Sequence, residues 1–165
     1  MRKYHRSTRV ILLFISLLIM GQWGCHGLKS SPALDAKLKV IPEEIAVTKA
    51  ILKRPVQFSG WGYGPDEYIV VDLIIPKGIK IKKVPEGKDS VGIAFAITNE
   101  SGAFKATMGA KDTLDWLFQV GWTKNQQPIF KEATPLPPGT YKIRATGVES
   151  ELSGMATLTV IPPVE

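Results

Sequence analysis

The sequence predicts an all-β chain folded as a single antiparallel β-sandwich, and three observations carry that prediction. Beyond residue 37 apolar residues recur at every second position, the spacing of a strand that buries one face. Glycine, proline, asparagine and aspartate gather between those runs, and no long stretch keeps the 3.6-residue period of an amphipathic helix. The 165 residues, 44% hydrophobic and 22% charged, suffice for one core plus a short appendage and are too apolar for a disordered chain.

Taken in order, Leu38 and Val40 alternate with lysines, and Val56 and Phe58 alternate with Gln57 and Ser59. Ile69, Val71, Leu73 and Ile75 define one face of a strand bounded by Pro65 and Pro76; Tyr68, Val70, Asp72 and Ile74 form its other face. Between 91 and 98, Val91, Ile93, Phe95 and Ile97 are large while Gly92, Ala94, Ala96 and Thr98 are small. That alternation predicts a strand whose large side chains share one buried face. Tyr141, Ile143 and Ala145, then Ala156, Leu158 and Val160, repeat the pattern. Turn formers separate the runs: GYGPDE at 62–67, PKG at 76–78, PEGKDS at 85–90, NESG at 99–102 and PLPPG at 135–139. About eight short strands at this spacing make a sandwich. Residues 109–132 admit two readings. Trp116, Phe118, Val120 and Trp122 alternate as a strand, the reading favoured, whereas Asp112 and Asp115 suit the opening of a short helix.

The first 24 residues differ in kind. Residues 1–9 are polar and basic, Val10 to Met20 is an apolar run broken only by Ser16, and small residues then lead to Gly24 and Cys25. This is the order of a secretory signal, with a helical apolar segment, and the run is too short for a permanent span of about 20 residues. The segment 1–25 resembles a bacterial lipoprotein signal, although Gln22 and Trp23 stand where that family carries an aliphatic and a small residue. The resemblance implies cleavage after residue 24, a diacylglyceryl group on the Cys25 thiol and a tether over 25–36 that includes GLKSSPAL. His26, in place of aspartate, implies the outer membrane in an organism that has one. An ordinary signal cut after Ala33, or an uncleaved anchor, remains open.

Residues 38–162 resemble the immunoglobulin-like domains of bacterial surface proteins and lipoproteins. The likeness rests on V-x-P at Val40–Pro42, P-V-x-F-x-G-x-G at Pro55–Gly62, and G-P-x-E-x-I-x-V at Gly64–Val71. It continues with Gly102 and Phe104, L-P-P-G-T-Y at Leu136–Tyr141, and T-L-T-V-I-P at Thr157–Pro162. It implies two packed sheets over a domain at 37–162, Tyr141 packed as a corner, and a role as spacer, adhesive unit or binding module.

Charge and residue inventory narrow the function. The net charge of +6 owes four units to Arg2, Lys3, Arg6 and Arg9, so the rest of the chain carries too little to act as a nucleic-acid binder. After the leader the only histidine is His26 and the only cysteine Cys25, which excludes zinc sites and His-dependent triads there. The carboxylate pairs Glu43–Glu44, Asp66–Glu67, Asp112–Asp115 and Glu149–Glu151 read as solvated loop charge, since neighbours on a strand point to opposite faces. Calcium at Asp66 and Glu67, or at Asp112 and Asp115, lacks the usual loop spacing. Gly60-Trp61-Gly62-Tyr63-Gly64 precedes a strand, so it is no phosphate cradle. LPPGT at 136–140 is a strand-entry turn, and Asn99-Glu100-Ser101 a hairpin turn with Gly102.

Aromatic rings remain. Trp61, Tyr63, Trp116 and Trp122 are the candidate ligand-binding residues, because flat exposed rings stack on sugars or partner proteins; the alternative packs them at the sandwich end and in the core. The expected protein is a non-enzymatic, cofactor-free envelope lipoprotein whose domain binds or positions a protein or glycan. A carbohydrate-binding adhesin or accessory module using these rings is the second reading.

Overall fold

The computed structural model describes residues 36–163. The signal, Cys25 and most of the tether lie outside the described residues. Ten strands form two sheets and a small ladder, the all-β sandwich that the alternation predicts. The first sheet has three antiparallel strands in the order β1 (Lys37–Ile41), β3 (Gln57–Trp61), β6 (Phe104–Thr107). The second has five, in the order β2 (Glu44–Ala46), β10 (Ser153–Ile161), β9 (Gly139–Gly147), β4 (Tyr68–Ile74), β5 (Ser90–Ile97).

The inner faces follow the period-two pattern. Val40, Phe58, Phe104 and Ala106 from one sheet meet Ile69, Val71, Leu73, Ile143 and Leu158 from the other in one continuous buried cluster. Each of the larger side chains contributes roughly 1.5–3 kcal/mol on leaving water. Tyr141 is buried at the floor of this core, and its hydroxyl donates to the Pro137 carbonyl at 2.7 Å. It is the tyrosine corner the sequence implies, tying the Pro-Pro-Gly entry to the strand it starts.

Three features depart from the predicted sandwich. The sheets are not wholly antiparallel: after Pro42 the chain leaves the three-stranded sheet, and β2 adds to the five-stranded one parallel to β10. The alternation of β5 is interrupted by a β-bulge. Asp72 pairs with Gly92 but Val71 pairs with Ala94, leaving Ile93 as an extra residue. Beyond the bulge the faces exchange: Ala94 and Thr98 are buried, while Phe95 and Ile97 point to solvent. A single inserted residue inverts every later side chain on the strand.

The third departure concerns residues 109–132, where the favoured strand is replaced by a helical turn. α1 (Ala110–Asp112) runs into a π-helical turn (Thr113–Leu117), and the two-residue strands β7 (Gly121–Trp122) and β8 (Pro128–Ile129) and a 3-10 turn (Phe130–Glu132) follow. The physical reason is a second spacing in the same residues: Leu114, Leu117 and Phe118 recur at i, i+3 and i+4, and all three are buried. Gln119 then turns back with φ of 50°, and the Val120 N–H bonds the Leu114 carbonyl at 3.1 Å, a left-handed close that ends the turn.

Strand directions divide the sandwich into two ends. The chain enters beside the β3–β4, β5–β6 and β9–β10 turns, since Lys37 pairs with Trp61 and a Cβ on Gly154 would lie 2.9 Å from the Ala36 carbonyl oxygen. The long irregular segments, 75–89 and 108–138, lie at the other end. Tyr141→Phe removes only the corner hydrogen bond, so we expect a loss of about 1–2 kcal/mol in urea unfolding at unchanged m-value.

Candidate functional site

Each end is fastened by a buried carboxylate. At the entry end Glu67 is 3% exposed. Its carboxylate accepts the Gly64 N–H at 2.5 Å, the Ser150 N–H at 2.9 Å and the Ser150 hydroxyl at 2.8 Å. Its own N–H donates to the Thr98 Oγ1 at 2.9 Å. The β3–β4 and β9–β10 turns are thereby joined to the end of β5. Gly147 is required beside it, because a Cβ there would come within 2.5 Å of the carboxylate oxygen. Burial pushes the Glu67 carboxyl up, but the donors of Ser150 and Gly64 outweigh it and hold the group below its ordinary value.

At the far end Asp115 is the corresponding knot. Its carboxylate receives Lys83 Nζ at 2.5 Å, the Trp122 indole N–H at 2.6 Å and Lys111 Nζ. Both ammonium groups also lie over the Trp122 ring, 5.7 and 5.4 Å from its centroid. Burial opposes ionisation of Asp115, and the bonds from Lys111, Lys83 and Trp122 overcome it, holding the carboxyl at about 2. One side chain therefore joins the 75–89 loop, the helical turn and β7. Gln119, 2% exposed, adds a second tie by accepting the Lys82 N–H at 2.6 Å.

The predicted aromatic set does not converge. Trp61 is about half exposed at the entry end. Tyr63, two residues on, is buried, stacks edge-on against Phe104 and donates to the Ala145 carbonyl, so it offers no face to a ligand; burial drives its phenol up to about 12. Trp116 and Trp122 are half-buried at the opposite end, Trp122 with its face taken by two lysines. Of the carboxylates, Asp66, Glu67 and Glu149 line one open cavity of about 330 Å³ at the entry end, where Glu67 is saturated by its donors; Asp115 lies at the opposite end, likewise saturated.

The far end instead presents a groove of about 410 Å³ lined by Ile75, Ile79, Ile81 and Val84 together with Lys80, Lys88 and Glu86. Lys53, Arg54, Lys77 and Lys82 are also exposed at this end. The three entry-end turns contain Asp66, Glu67, Glu100, Glu149 and Glu151 and no basic residue. The charge asymmetry was legible only once the strand directions assigned each loop to an end.

No family model and no curated protein matches the chain. Among solved structures it is similar to the crystal structure of BslA, a bacterial hydrophobin, with 13% identity over 82% of this chain and all of that one, at a TM-score of 0.37.

Both knots give a pH signature. Glu67 and Asp115 bind protons less readily folded than unfolded, so their stabilisation is complete above the unfolded values, 4.5 and 3.8. It is lost as pH falls through the lower folded ones. Thermal midpoints should therefore drop steadily between about pH 5 and pH 2, and Glu67→Gln with Asp115→Asn should lower stability at pH 7 by roughly 1–3 kcal/mol each while flattening that drop.

Proposed function

We propose that this protein is an exported, lipid-anchored domain that works without catalysis, by holding one loop-bearing end toward a partner in the cell envelope. The observation that carries the reading is directional. The chain that leads from Cys25 joins the sandwich at one end, while the basic loops and groove occupy the other. A sandwich strand of nine residues spans roughly 30 Å, so a partner at the far end is addressed well away from the attachment point.

The leader supports the anchor: a basic start, a short apolar run and a cysteine after glycine. Two or three acyl chains on one cysteine give nearly permanent attachment. The non-catalytic reading is supported by the saturation of both buried carboxylates, which leaves neither free to carry a proton or attack a substrate. The lysines of the far end favour a protein or glycan with an anionic surface.

The attachment is tested by Cys25→Ala. The wild-type chain should stay with membranes through an alkaline wash and the variant should be released; retention of the variant would rule out the lipid anchor. The partner surface is tested by exchanging Lys77, Lys80 and Lys88 for glutamate. Crosslinking to envelope components should fall at least tenfold with the fold intact, and should weaken with added salt in the wild type.

A further inference from the structure

Outside the far end, one surface is unusually apolar. Tyr68, Phe95, Ile97 and Val148 are 60%, 72%, 57% and 56% exposed, and they are neighbours. Tyr68 pairs directly with Ile97, Val70 pairs with Phe95, and the Val148 N–H donates to the Tyr68 carbonyl at 2.9 Å. All lie on the outer face of the five-stranded sheet, in the half nearest the entry end. Farther along the same face lie the Asp72–Arg144 ion pair at 3.3 Å and Lys142 beyond it, with the half-exposed Met155 paired to Arg144.

The bulge creates this patch. In an uninterrupted strand Phe95 and Ile97 would stay on the face of Val91 and Ile93, inside the core; the extra residue sends them to water and brings Ala94 and Ala96 inward. Leaving a phenylalanine and an isoleucine exposed forgoes roughly 1.5–3 kcal/mol each, and contiguous apolar surface of this sort marks an interaction site.

Where the chain begins names the occupant. Eleven residue steps lead from Cys25 to Ala36, a reach of roughly 40 Å at full extension, and Ala36 lies at the same end as the patch. We infer that Tyr68, Phe95, Ile97 and Val148 rest on the surface of the lipid bilayer that holds the anchor, so that the domain leans on the membrane by the entry-end half of this sheet. The inference rests on the lipid-anchor reading given above. Tyrosine suits the headgroup region, with an apolar ring and a polar tip. The acidic turns beside the patch select the lipid: with no basic residue among them, the surface fits a zwitterionic bilayer and is repelled by a strongly anionic one.

The test uses the full, processed chain reconstituted in phosphatidylcholine vesicles, with the mass of its amino-terminal peptide recorded. An environment-sensitive fluorophore is placed at Phe95→Cys, at Ile97→Cys, or at Lys142→Cys on the same face farther from the entry end. The Cys25 thiol, being alkylated, does not react. Labels at 95 and 97 should shift to the blue and be quenched by spin-labelled lipid, the label at 142 should do neither, and half phosphatidylglycerol should reduce the shift at least twofold. An acylated chain whose labels at 95 and 97 stay in water overturns the inference and leaves the anchor standing. A shift that grows with protein-to-lipid ratio assigns the face to a second copy and also overturns it, and an unacylated terminus overturns both.

Discussion

The molecule depends on apolar contact between two sheets that no disulfide joins. The single cysteine, Cys25, stands before the first strand in the sequence, so Phe58, Phe104, Leu73, Ile143 and Leu158 hold the layers by burial. Such a seam is strong across its middle and weak at its ends, where loops must close it and bring polar backbone with them. The two carboxylate knots answer this difficulty. Glu67 closes the entry end by satisfying the N–H groups of two turns, and Asp115 closes the far end by collecting two ammonium groups and an indole. A buried charge is tolerated only when its partners replace water, and here each charge has at least three donors.

This arrangement bears on chemistry. A carboxylate that closes a sandwich end has its lone pairs occupied and its pKa driven away from the range in which it exchanges protons near neutrality. The two most distinctive acids of the domain thus serve cohesion. What is left free for recognition is the periphery: lysines around an apolar groove at one end and an apolar sheet face toward the other.

Much of the fold was legible because alternation is a local signal. Ile69, Val71 and Leu73, or Tyr141, Ile143 and Ala145, each declare a strand and its buried side within a few residues, and Pro-Gly before Tyr141 declares the corner. The failures share a cause. Phe95 and Ile97 were assigned to the core because a bulge carries no composition of its own; Gly92 and the small alanines fit both registers, and only pairing with β4 decides between them. In residues 109–132 the strand and helix spacings coincide on apolar side chains, and burial of Leu114, Leu117 and Phe118 as a group decides for the helix. Of the candidate site, the aromatic residues were visible but their separation was not, since Trp61 and Trp122 are divided by the length of the sandwich. Asp115 stands out in the sequence by its charge alone, and nothing in the residues around it points to Lys83, its partner from a distant loop.

The same inserted residue that defeats the alternation gives the domain its asymmetry. Without it β5 would be an ordinary edge strand with large side chains inside and small ones outside, and the outer sheet face would lack Phe95 and Ile97 beside Tyr68 and Val148. With it, an apolar half-face lies near the point of chain entry beside turns that hold acids and no base, while the far-end loops carry lysines together with acids such as Glu86, Asp89 and Glu132. The apolar half-face and the acidic turns therefore lie at the end where β1 begins. Strand register thus places the apolar half-face at one end, and β4, β9 and β10 separate it from the groove between Ile79 and Val84 at the other.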